Sequence, residues 1–378
     1  MTSKIAYITN VCSHYRVGLY EKIASQHNAD FYFFSEGNEW YAEKKHDRGF
    51  GRFNAIQLRG FNMLRGLLIT SGLPSRLFLG GYSVFIKCIN GKFVLPVTYL
   101  IARLLGRPFI LVTGLWMHPG SLVHRLTFPL VRYIYTHSDA VIVYGEHVKK
   151  YLIELGVKPN KIFVGFLAVN NALFNKPVDS EEKKLIRKRL GIGDKKVILY
   201  VGRISPEKGL EYLVEAYVKL KQSVDAALLI VGDGTYKVQI VKEIREQGIQ
   251  DVFLVDYVLN SELYRYYAIG DVFVLPSVTT KMVKETWGLV INEAMNQGCP
   301  VVATDAVGAA VGGLLEDGKT GFIVPEKNSE KLAEGIRCIL TDESLHLKME
   351  TYIKERISRW DYDQMAKGYT DAIRSVLI

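Results

Sequence analysis

The sequence has few cysteines, and their spacing excludes the common structural uses of cysteine. The four are Cys12, Cys88, Cys299 and Cys338, and no two of them form a Cys-x-x-Cys pair. Structural zinc sites and the disulfide frameworks of small secreted domains need closer and more numerous cysteines. The sequence therefore predicts a protein of a reducing, cytoplasmic compartment.

Long apolar runs are also missing. The most apolar stretch, residues 93–105, is interrupted by Pro96 and Arg103 and is shorter than the roughly 20 residues that a membrane-spanning helix needs. The first residues, MTSKIAYITNV, contain one lysine and an apolar run too short for the core of a secretion signal. We expect a chain that is not secreted and does not cross a membrane.

Acidic residues are absent from one long region. Between Asp47 and Asp139 there is no aspartate or glutamate, whereas 11 lysines and arginines lie there, from Arg48 to Arg132. Residues 1–175 carry 20 basic against 9 acidic residues, and residues 176–378 carry 28 against 30. The first half therefore holds the whole excess behind the net charge of +9.

Three explanations for this basic region remain open: an ordinary basic surface, nucleic acid, or an anionic membrane. Nucleic acid is the weakest of them, because no nucleic-acid-binding motif accompanies the charge. At about 1 kcal/mol for each basic residue near an anionic bilayer, four or five on one face would suffice for reversible docking. The sequence therefore predicts peripheral association of the first half with the cytoplasmic face of a membrane.

The alternation of apolar, strand-like runs with helical patterns predicts two α/β domains. Apolar, β-branched runs such as KIAYIT and FILVTG in the first half, and KVILYVG and DVFVLPS in the second, alternate with helical patterns. This alternation is typical of parallel sheets with crossover helices, which bind ligands at the carboxyl ends of their strands. A charged stretch at 175–196, with Ser180 as the expected helix N-cap, separates the two sets.

We therefore place the first domain at residues 1–175, the second at 176–355 and a final helix at 356–378. Each of the two domains is expected to be a doubly wound unit, and the two are expected to face each other across a ligand-binding cleft.

The loop after the first strand of the second half carries two cations. Arg203 and Lys208 follow Gly202 in LYVGRISPEKGLEYL, where a buried strand gives way to a helix. An arginine can bind two oxygens in parallel and a lysine adds a point charge, so the pair suits a diphosphate beside a helix N-terminus. Taken alone, a solvated basic loop is the more common explanation.

Two carboxylates, eight positions apart, follow a later strand. Glu285 is predicted on a loop, and Glu293 lies inside a short helix that begins near Gly288. The first-turn N–H groups of Leu289 and Val290 would add anion-binding donors, with the helix dipole behind them. Carboxylates accept hydrogen bonds from sugar hydroxyls, while cations and amides neutralise phosphate. These groups together indicate a sugar-nucleotide site.

Several motifs of the second half resemble those of a known family. The motifs GRISPEKG, VGDG, LPS, ETWGLVINEAMNQGCPVVATD and EDGKTGFIVP are similar, in this order, to those of the retaining GT-B glycosyltransferases of family four, the glycosyl transferases group 1. Glu285, seven residues and Glu293 match the Glu-x7-Glu signature of that family. The resemblance covers nearly the whole chain, is most specific for residues 197–325, and implies the GT-B fold of two Rossmann-like α/β domains.

The resemblance also implies roles for individual residues. Glu285 would contact hydroxyls of the transferred sugar, and Glu293 would hold the ribose. Arg203 and Lys208, on the loop that starts at Gly202, would hold the diphosphate.

The nucleobase contact and the sugar pocket depart from the family pattern. Main-chain groups near Tyr257 and Val258 would meet the base, but Asp256 stands where the family often has glycine. The segment VTTKMVK and Trp287, on either side of Glu285, also differ from the commonest form.

In the first half, Arg16 and His118 are the candidates. The loop after the first strand reads ITNVCSHYRVG in place of a glycine-rich loop, so Arg16 is assigned to the acceptor or the leaving group, with a surface residue at a helix start as the alternative. His118 follows the strand FILVTG, where the family often places a histidine or an acid near the sugar donor. A structural histidine is the alternative there, and His124 is the nearest rival.

Asp361 and Asp363 form an Asp-x-Asp sequence near the C-terminus. Because they open an amphipathic helix, helix capping and the helix dipole explain them better than metal binding does. We therefore predict neither a metal site nor a cofactor.

The resulting prediction is a retaining, metal-independent glycosyltransferase of polysaccharide or glycoconjugate biosynthesis. It would move a sugar from a UDP- or GDP-sugar to a glycan or lipid-linked acceptor. One alternative is a catalytically silent sugar-nucleotide-binding subunit, although the intact cations and acids argue against it. Another is an NAD-dependent oxidoreductase, which needs a Gly-x-Gly-x-x-Gly turn, and VGDGTYK supplies only two of those glycines.

Overall fold

The computed structural model describes residues 3–35, 51–64, 67–70 and 72–377. The chain divides into two compact units, of which the first comprises Met1–Ala168 and Tyr362–Ile378 and the second Val169–Asp361. These divisions fall seven residues before and six residues after the boundaries expected from sequence, 175 and 355. Arg48 and Arg65, two of the 11 basic residues of the acid-free region, lie outside the described residues.

The first unit is built on a seven-stranded parallel sheet and a two-stranded antiparallel ribbon that pairs Phe61–Leu64 with Leu67–Ile69. The strands are β1 (Lys4–Thr9), β2 (Asn28–Phe33), β3 (Asn54–Gln57), β4 (Phe61–Leu64), β5 (Leu67–Ile69), β6 (Val84–Cys88), β7 (Phe109–Thr113), β8 (Ala140–Val143) and β9 (Ile162–Val164). The order in the sheet is β3-β2-β1-β6-β7-β8-β9. The order therefore reverses between β1 and β6, and this switch point is where such sheets bind ligands.

Helices cover both faces of this sheet, which explains why strands such as KIAYIT and FILVT are almost continuously apolar. The helices are α1 (His14–Gln26), α2 (Leu73–Leu79), α3 (Val94–Leu104), α4 (Leu122–His137), α5 (Glu146–Glu154) and the final helix of the chain, α15 (Tyr362–Val376). Helix α15 packs on α1, β8 and β9. Its Tyr369 lies over Tyr7 of β1, with ring centroids 6.3 Å apart.

The second unit contains a six-stranded parallel sheet. The strands are β10 (Lys196–Val201), β11 (Ala226–Val231), β12 (Val252–Val255), β13 (Val272–Leu275), β14 (Val301–Thr304) and β15 (Gly321–Val324). Their order, β12-β11-β10-β13-β14-β15, is that of a doubly wound dinucleotide-binding fold, with the switch point between β10 and β13. The loops that follow these two strands are therefore neighbours at the carboxyl edge of the sheet.

The helices of the second unit alternate with its strands. They are α6 (Asn171–Phe174), α7 (Ser180–Leu190), α8 (Leu210–Leu220), α9 (Lys237–Glu246), α10 (Leu263–Ala268), α11 (Leu289–Asn296), α12 (Gly308–Val311), α13 (Ser329–Thr341) and α14 (Glu343–Ser358). The expected N-cap at Ser180 is wrong by one residue. Asp179 caps α7, because its carboxylate accepts a 2.8 Å hydrogen bond from the N–H of Glu182.

Across the described part of the chain, no helix combines the length and the apolar character needed to span a bilayer.

Candidate active site

The loop after β10 packs directly against the loop after β13. Its last turn, Pro206–Lys208, ends at Gly209, which has a φ of 62° and starts α8. A Cβ atom on this glycine would lie 2.2 Å from the carbonyl oxygen of Pro276, so the close approach of the two loops requires glycine at this position. This packing brings Lys208 to the switch point of the sheet.

Lys208 forms an ion pair with Glu285 there. The Nζ of Lys208 donates a hydrogen bond to Oε2 of Glu285, and the Oγ of Ser277 donates to the same oxygen over 3.2 Å. The lysine and glutamate side chains are only 12% and 19% exposed, so the pair is largely removed from solvent. Two of the sequence-predicted site residues are thus in contact.

The electrostatics of this cluster keep the Glu285 carboxyl ionised. Burial alone would raise its pKa, but the Lys208 ammonium, the Ser277 hydroxyl and the Arg203 guanidinium together lower the pKa below its usual value. An ionised carboxylate only accepts hydrogen bonds, so Glu285 is suited to bind the hydroxyls of a sugar.

Backbone hydrogen bonds fix the segment that carries Glu285. Its carbonyl oxygen accepts from the N–H of Gly308 over 3.1 Å, and that of Trp287 accepts from the N–H of Ala309 over 2.7 Å. The indole of Trp287 is buried, and its Nε1 donates to Asn292 over 2.9 Å. The unusual Trp287 is therefore an anchor of the loop.

Arg203 has a carboxylate partner of its own. Its Nη2 lies 3.1 Å from Oε1 of Glu207, and its Nε donates to Oγ of Ser205 over 3.4 Å. Ser205 in turn donates to Glu207 over 2.7 Å, and Tyr200 donates to the carbonyl of Arg203 over 2.8 Å. The loop thus holds the guanidinium in one orientation, and both expected phosphate-binding cations are charge-compensated.

Glu293 lies in the interior of the unit, on α11. Its Oε2 accepts a 2.6 Å hydrogen bond from the hydroxyl of Tyr267 on α10. Burial, followed by the charge of Glu293, raises the pKa of Tyr267 well above its usual value, so the tyrosine remains a hydrogen-bond donor.

The N-terminus of α11 points its first amides toward the same edge of the sheet. Gly288 is its N-cap, with a φ of 94°, and a Cβ there would lie 2.8 Å from Cδ2 of Leu275. Leu289 and Val290 form the first turn, where no carbonyl of the same helix can accept from their N–H groups.

The remaining donor-side candidates follow β10 and β12. Gly202 follows β10 directly. Tyr257 and Val258 follow β12, the edge strand of the sheet, and the side chain of Tyr257 is exposed. Asp256, beside them, forms an ion pair with Lys237 of α9.

In the first unit, Arg16 is buried on α1. The alternative of a surface residue at a helix start is therefore wrong. Its Nη2 donates to the hydroxyl of Tyr144, and its guanidinium lies 5.2 Å from the centre of that ring. Its Nη1 has no hydrogen-bond partner among the described residues.

His118 and His124 both hold the loop that leads into α4. The Nε2 of His118 hydrogen-bonds to the carbonyl of His124 over 2.7 Å, and its ring centre lies 4.3 Å from that of Phe128. The Nδ1 of His124 meets Oγ of Ser121, the N-cap of α4, at 2.6 Å. Arg16 and His118 thus contact different sets of residues.

The Asp-x-Asp sequence is engaged in other contacts. Asp363 lies in the first turn of α15 and pairs with Lys22 of α1 at 2.5 Å. Within the described ranges, no group of three or more His, Cys, Asp and Glu side chains is arranged to hold a metal ion.

Sequence reasoning missed three side chains that organise this site: Ser277, Glu207 and Tyr267. Ser277 follows a strand at the switch point, a position that could have identified it. Glu207 lies in the same loop, four residues after Arg203, and this spacing could have identified it as the partner of the arginine. Tyr267 had no local signal, because it is 26 residues from its partner Glu293.

Comparison with known proteins places the chain in a family. Residues 182–356 match the family model of glycosyl transferases group 1. The chain is 30% identical to alpha-D-kanosaminyltransferase of Streptomyces kanamyceticus over 262 residues, which are 66% of each chain. It is also 30% identical to sulfoquinovosyl transferase SQD2 of Arabidopsis thaliana over 277 residues, 69% of this chain and 51% of that protein. The matches thus span about half to two thirds of the length of these relatives.

The fold is shared with Anabaena Alr3699/HepE, solved in complex with UDP. The TM-score is 0.78 at 18% identity, covering 99% of this chain and 100% of that one. The protein belongs to the glycosyl transferases group 1 and has the GT-B fold.

Proposed function

We propose that the protein is a retaining glycosyltransferase. It transfers a sugar from a UDP- or GDP-sugar to a glycan or lipid-linked acceptor. The observation that carries the proposal is the buried cluster of Lys208, Glu285 and Ser277 at the switch point of the second sheet. It sets a cation suited to phosphate directly beside an ionised acid suited to sugar hydroxyls.

In this proposal the diphosphate meets Lys208, Arg203 and the first amides of α11. An ammonium has three N–H donors and a guanidinium has five, so each can bind phosphate oxygens while it keeps its carboxylate partner. Charge develops on the diphosphate as the anomeric bond breaks, and fixed donors in a site with little water stabilise that charge strongly. We therefore propose that transfer needs no metal ion.

Glu285 binds the hydroxyls of the transferred sugar, and Glu293 binds the ribose. Two donors already occupy Oε2 of Glu285, which lowers its reactivity as a nucleophile. We therefore assign retention to front-face attack. The acceptor oxygen bonds to the anomeric carbon on the side from which the diphosphate leaves, and the acceptor proton passes to the departing phosphate oxygen.

The nucleobase is assigned to the main chain near Tyr257 and Val258. Arg16 is assigned to an anionic group of the acceptor or the leaving group, and its Nη1, with no partner in the described part of the chain, supports this role. A donor-side role for His118 stays a prediction, because its Nε2 is already bonded to His124.

The relatives support the reaction class. Two are named as transferases of sugars, and the Anabaena protein of the same fold binds UDP. Peripheral membrane association belongs to the same proposal and is developed below from the first unit.

The test is donor hydrolysis and transfer by the purified protein with a panel of UDP- and GDP-sugars, with and without excess EDTA. We expect one donor to be consumed at an unchanged rate in EDTA, and the product to keep the anomeric configuration of the donor by NMR. Glu285→Gln should lower the transfer rate at least about tenfold, whereas Glu246→Gln, at an exposed glutamate on α9, should match the wild type. Tight donor binding without turnover would indicate the silent subunit instead.

A further inference from the structure

Helix α4 carries a stripe of apolar side chains on its outer side. Leu122, Leu126, Leu130 and Tyr133 recur at intervals of four, four and three residues, which places them on one side of the helix. These four side chains are between 49% and 72% exposed. The opposite side, with Ile134 and Tyr135, is buried in the core of the unit. Helix α4 is thus apolar toward the core and also toward the outside.

Helix α3 has the same character. Its sequence, VLPVTYLIARL, contains a single charged residue. An ordinary surface helix has a polar outer face, and a helix that is apolar all round is expected to be buried. Yet Leu100 and Leu104 are exposed, on the side opposite the buried Leu95 and Ala102.

These helices form one surface together with α2. Helix α2 packs on α3, and Tyr99 of α3 meets Tyr133 of α4 with ring centroids 6.2 Å apart. We call this surface the α2–α4 face. Its exposed large apolar side chains are Phe78, Leu79, Leu100, Leu104, Leu122, Val123, Leu126, Leu130 and Tyr133.

The concentration of exposed apolar side chains is specific to this face. It holds nine of the 19 large hydrophobic side chains that are exposed among the described residues. The helices of the second unit show such residues singly, for example Leu185 on α7 and Leu347 on α14. Single exposed leucines are ordinary, whereas a contiguous apolar patch indicates a binding surface.

The charged side chains of helices α2–α4 and of the loops between them have one sign. Helices α2–α4 and their connections lie within the region that has no acidic residue between Asp47 and Asp139. The exposed basic side chains there are Arg76, Lys92, Arg107, Arg125 and Arg132. Asp139, the first acid beyond α4, is paired with Arg103 at 2.9 Å. The apolar stripe is therefore accompanied only by cations from these helices and loops.

We propose that the α2–α4 face docks on an anionic lipid bilayer. The leucines enter the boundary between headgroups and acyl chains, and the arginines and lysines lie at the lipid phosphates. This inference goes beyond the proposed transfer reaction, because it concerns a surface and not the donor site.

A protein partner fits the same surface less well. Seven of the nine side chains are aliphatic, whereas protein–protein hot spots are enriched in tryptophan, tyrosine and arginine, and leucine is under-represented in them. A second copy that used this face would also place the same cations opposite each other across a two-fold axis, which is unfavourable.

The experiment is co-sedimentation of the full chain with vesicles of phosphatidylcholine alone or mixed with phosphatidylglycerol, at rising salt. We expect binding to the anionic vesicles at low salt and progressive release as salt screens the charge. Absence of binding to anionic vesicles at low salt would overturn the proposal.

Matched variants locate the contact. Leu122→Glu with Leu126→Glu should weaken the partition on the order of a hundredfold, since each leucine loses its insertion. The control is Leu185→Glu with Leu347→Glu, which changes the charge equally at two leucines of the second unit that are each 56% exposed. Its vesicle partition should stay within about twofold of that of the wild type.

The basic side chains are tested separately. Arg125→Ala should weaken the partition about fivefold, whereas Arg189→Ala on α7 should leave it unchanged. Circular dichroism and thermal unfolding check that each variant is folded.

Two results would overturn the assignment of this face even if vesicles bind. One is equal binding by the Leu122→Glu, Leu126→Glu variant and the wild type. The other is a dimer in light scattering that the same two substitutions dissociate while vesicle binding is unaffected, because the face would then be an interface between copies of the chain.

Discussion

The switch points of the two sheets have the same topology and opposite chemistry. In the second unit, the loops after β10 and β13 pair each cation with a carboxylate, Lys208 with Glu285 and Arg203 with Glu207. In the first unit, Arg16 follows β1 and Lys87 lies near the end of β6. Both of these cations are buried, and neither has a carboxylate partner among the described residues.

Lys87 illustrates the difference. Its Nζ donates to the carbonyl oxygens of Cys88 and Asn90 over 2.5 Å and 2.8 Å, and to Oδ1 of Asn90 over 3.1 Å. Asn90 in turn donates to Oδ1 of Asn10 over 2.6 Å, across the switch point. All three N–H donors of the ammonium are therefore used within the end of β6 and the loop after it, and Asn90 links that loop to the loop after β1.

The two arrangements suit different tasks. An ion pair of opposite charges can admit a ligand that carries both phosphate and hydroxyl groups, because each partner keeps further donors or acceptors for it. A cation whose donors are all satisfied within the fold holds the backbone in place. We infer that the second switch point binds the donor and that Lys87 fixes the loop after β6 at the first one. Arg16 keeps an Nη1 without a partner among the described residues, in agreement with its proposed role at an anionic group.

The largest expected effect comes from removing the cations of the second switch point. Arg203→Ala and Lys208→Ala should each lower the turnover number on the order of a hundredfold, because each removes a donor that stabilises the leaving diphosphate. The double variant should be lower still. Lys242→Ala, an exposed lysine on α9, is the control in the same donor-turnover assay. Full activity of the double variant would remove the second switch point from the mechanism.

The next prediction distinguishes the role of Glu285 from that of Glu293. Glu285→Gln should lower the transfer rate at least about tenfold and leave the affinity for the nucleoside diphosphate within about twofold, because in the proposed site the lost charge lies at the sugar. Steady-state kinetics and calorimetric titration with UDP and GDP measure the two quantities. A loss of diphosphate affinity as large as the loss of rate would place Glu285 at the nucleotide instead.

Glu293→Gln should give the reverse pattern, with weaker nucleotide binding by about tenfold. Tyr267→Phe should change affinity in the same direction but less, because it removes a neighbour of the carboxylate and leaves its charge. The same titrations apply. Unchanged affinity in both variants would show that the Tyr267–Glu293 pair only supports the helices α10 and α11.

The second switch point could be predicted largely from sequence, because its groups lie close together along the chain. Gly202, Arg203 and Lys208 belong to one loop, and Glu285 and Glu293 to one loop and helix. Strand periodicity predicted both sheets for the same reason, since a strand buried on both faces is a local apolar run. The fold class was therefore predictable before any tertiary contact was known.

The partners of these groups could not be predicted, because they come from distant parts of the chain. Glu293 meets Tyr267, and Lys208 meets a glutamate 77 positions away. The burial of Arg16 likewise depends on a distant part of the chain, since its partner Tyr144 is 128 positions away. The exposed leucines of α4 could not be separated from core leucines by sequence alone, because both of its sides are apolar.

The smallest effect tests whether the first switch point is fixed by Lys87. Burial lowers the pKa of Lys87 to about 7, below the value that the unfolded chain would have. Between about pH 7 and the unfolded pKa, the unfolded chain therefore binds more protons than the folded chain, and stability rises with pH. Lys87→Met lacks this contribution. The stability of the wild type relative to this variant should rise by up to about 1.4 kcal/mol per pH unit between about pH 7 and pH 8.5.

Thermal unfolding at a series of pH values measures this slope, and the difference between the two proteins cancels the titration of all other groups. Lys92→Met, at an exposed lysine of the same unit, should keep the wild-type slope. Because Lys87 also joins the loops through Asn90, its replacement should reduce stability at every pH and not only change the slope. A parallel pair of curves for the wild type and Lys87→Met would mean that Lys87 keeps its charge throughout, held by its three oxygen acceptors. The first switch point would then contain two permanent cations, Lys87 and Arg16.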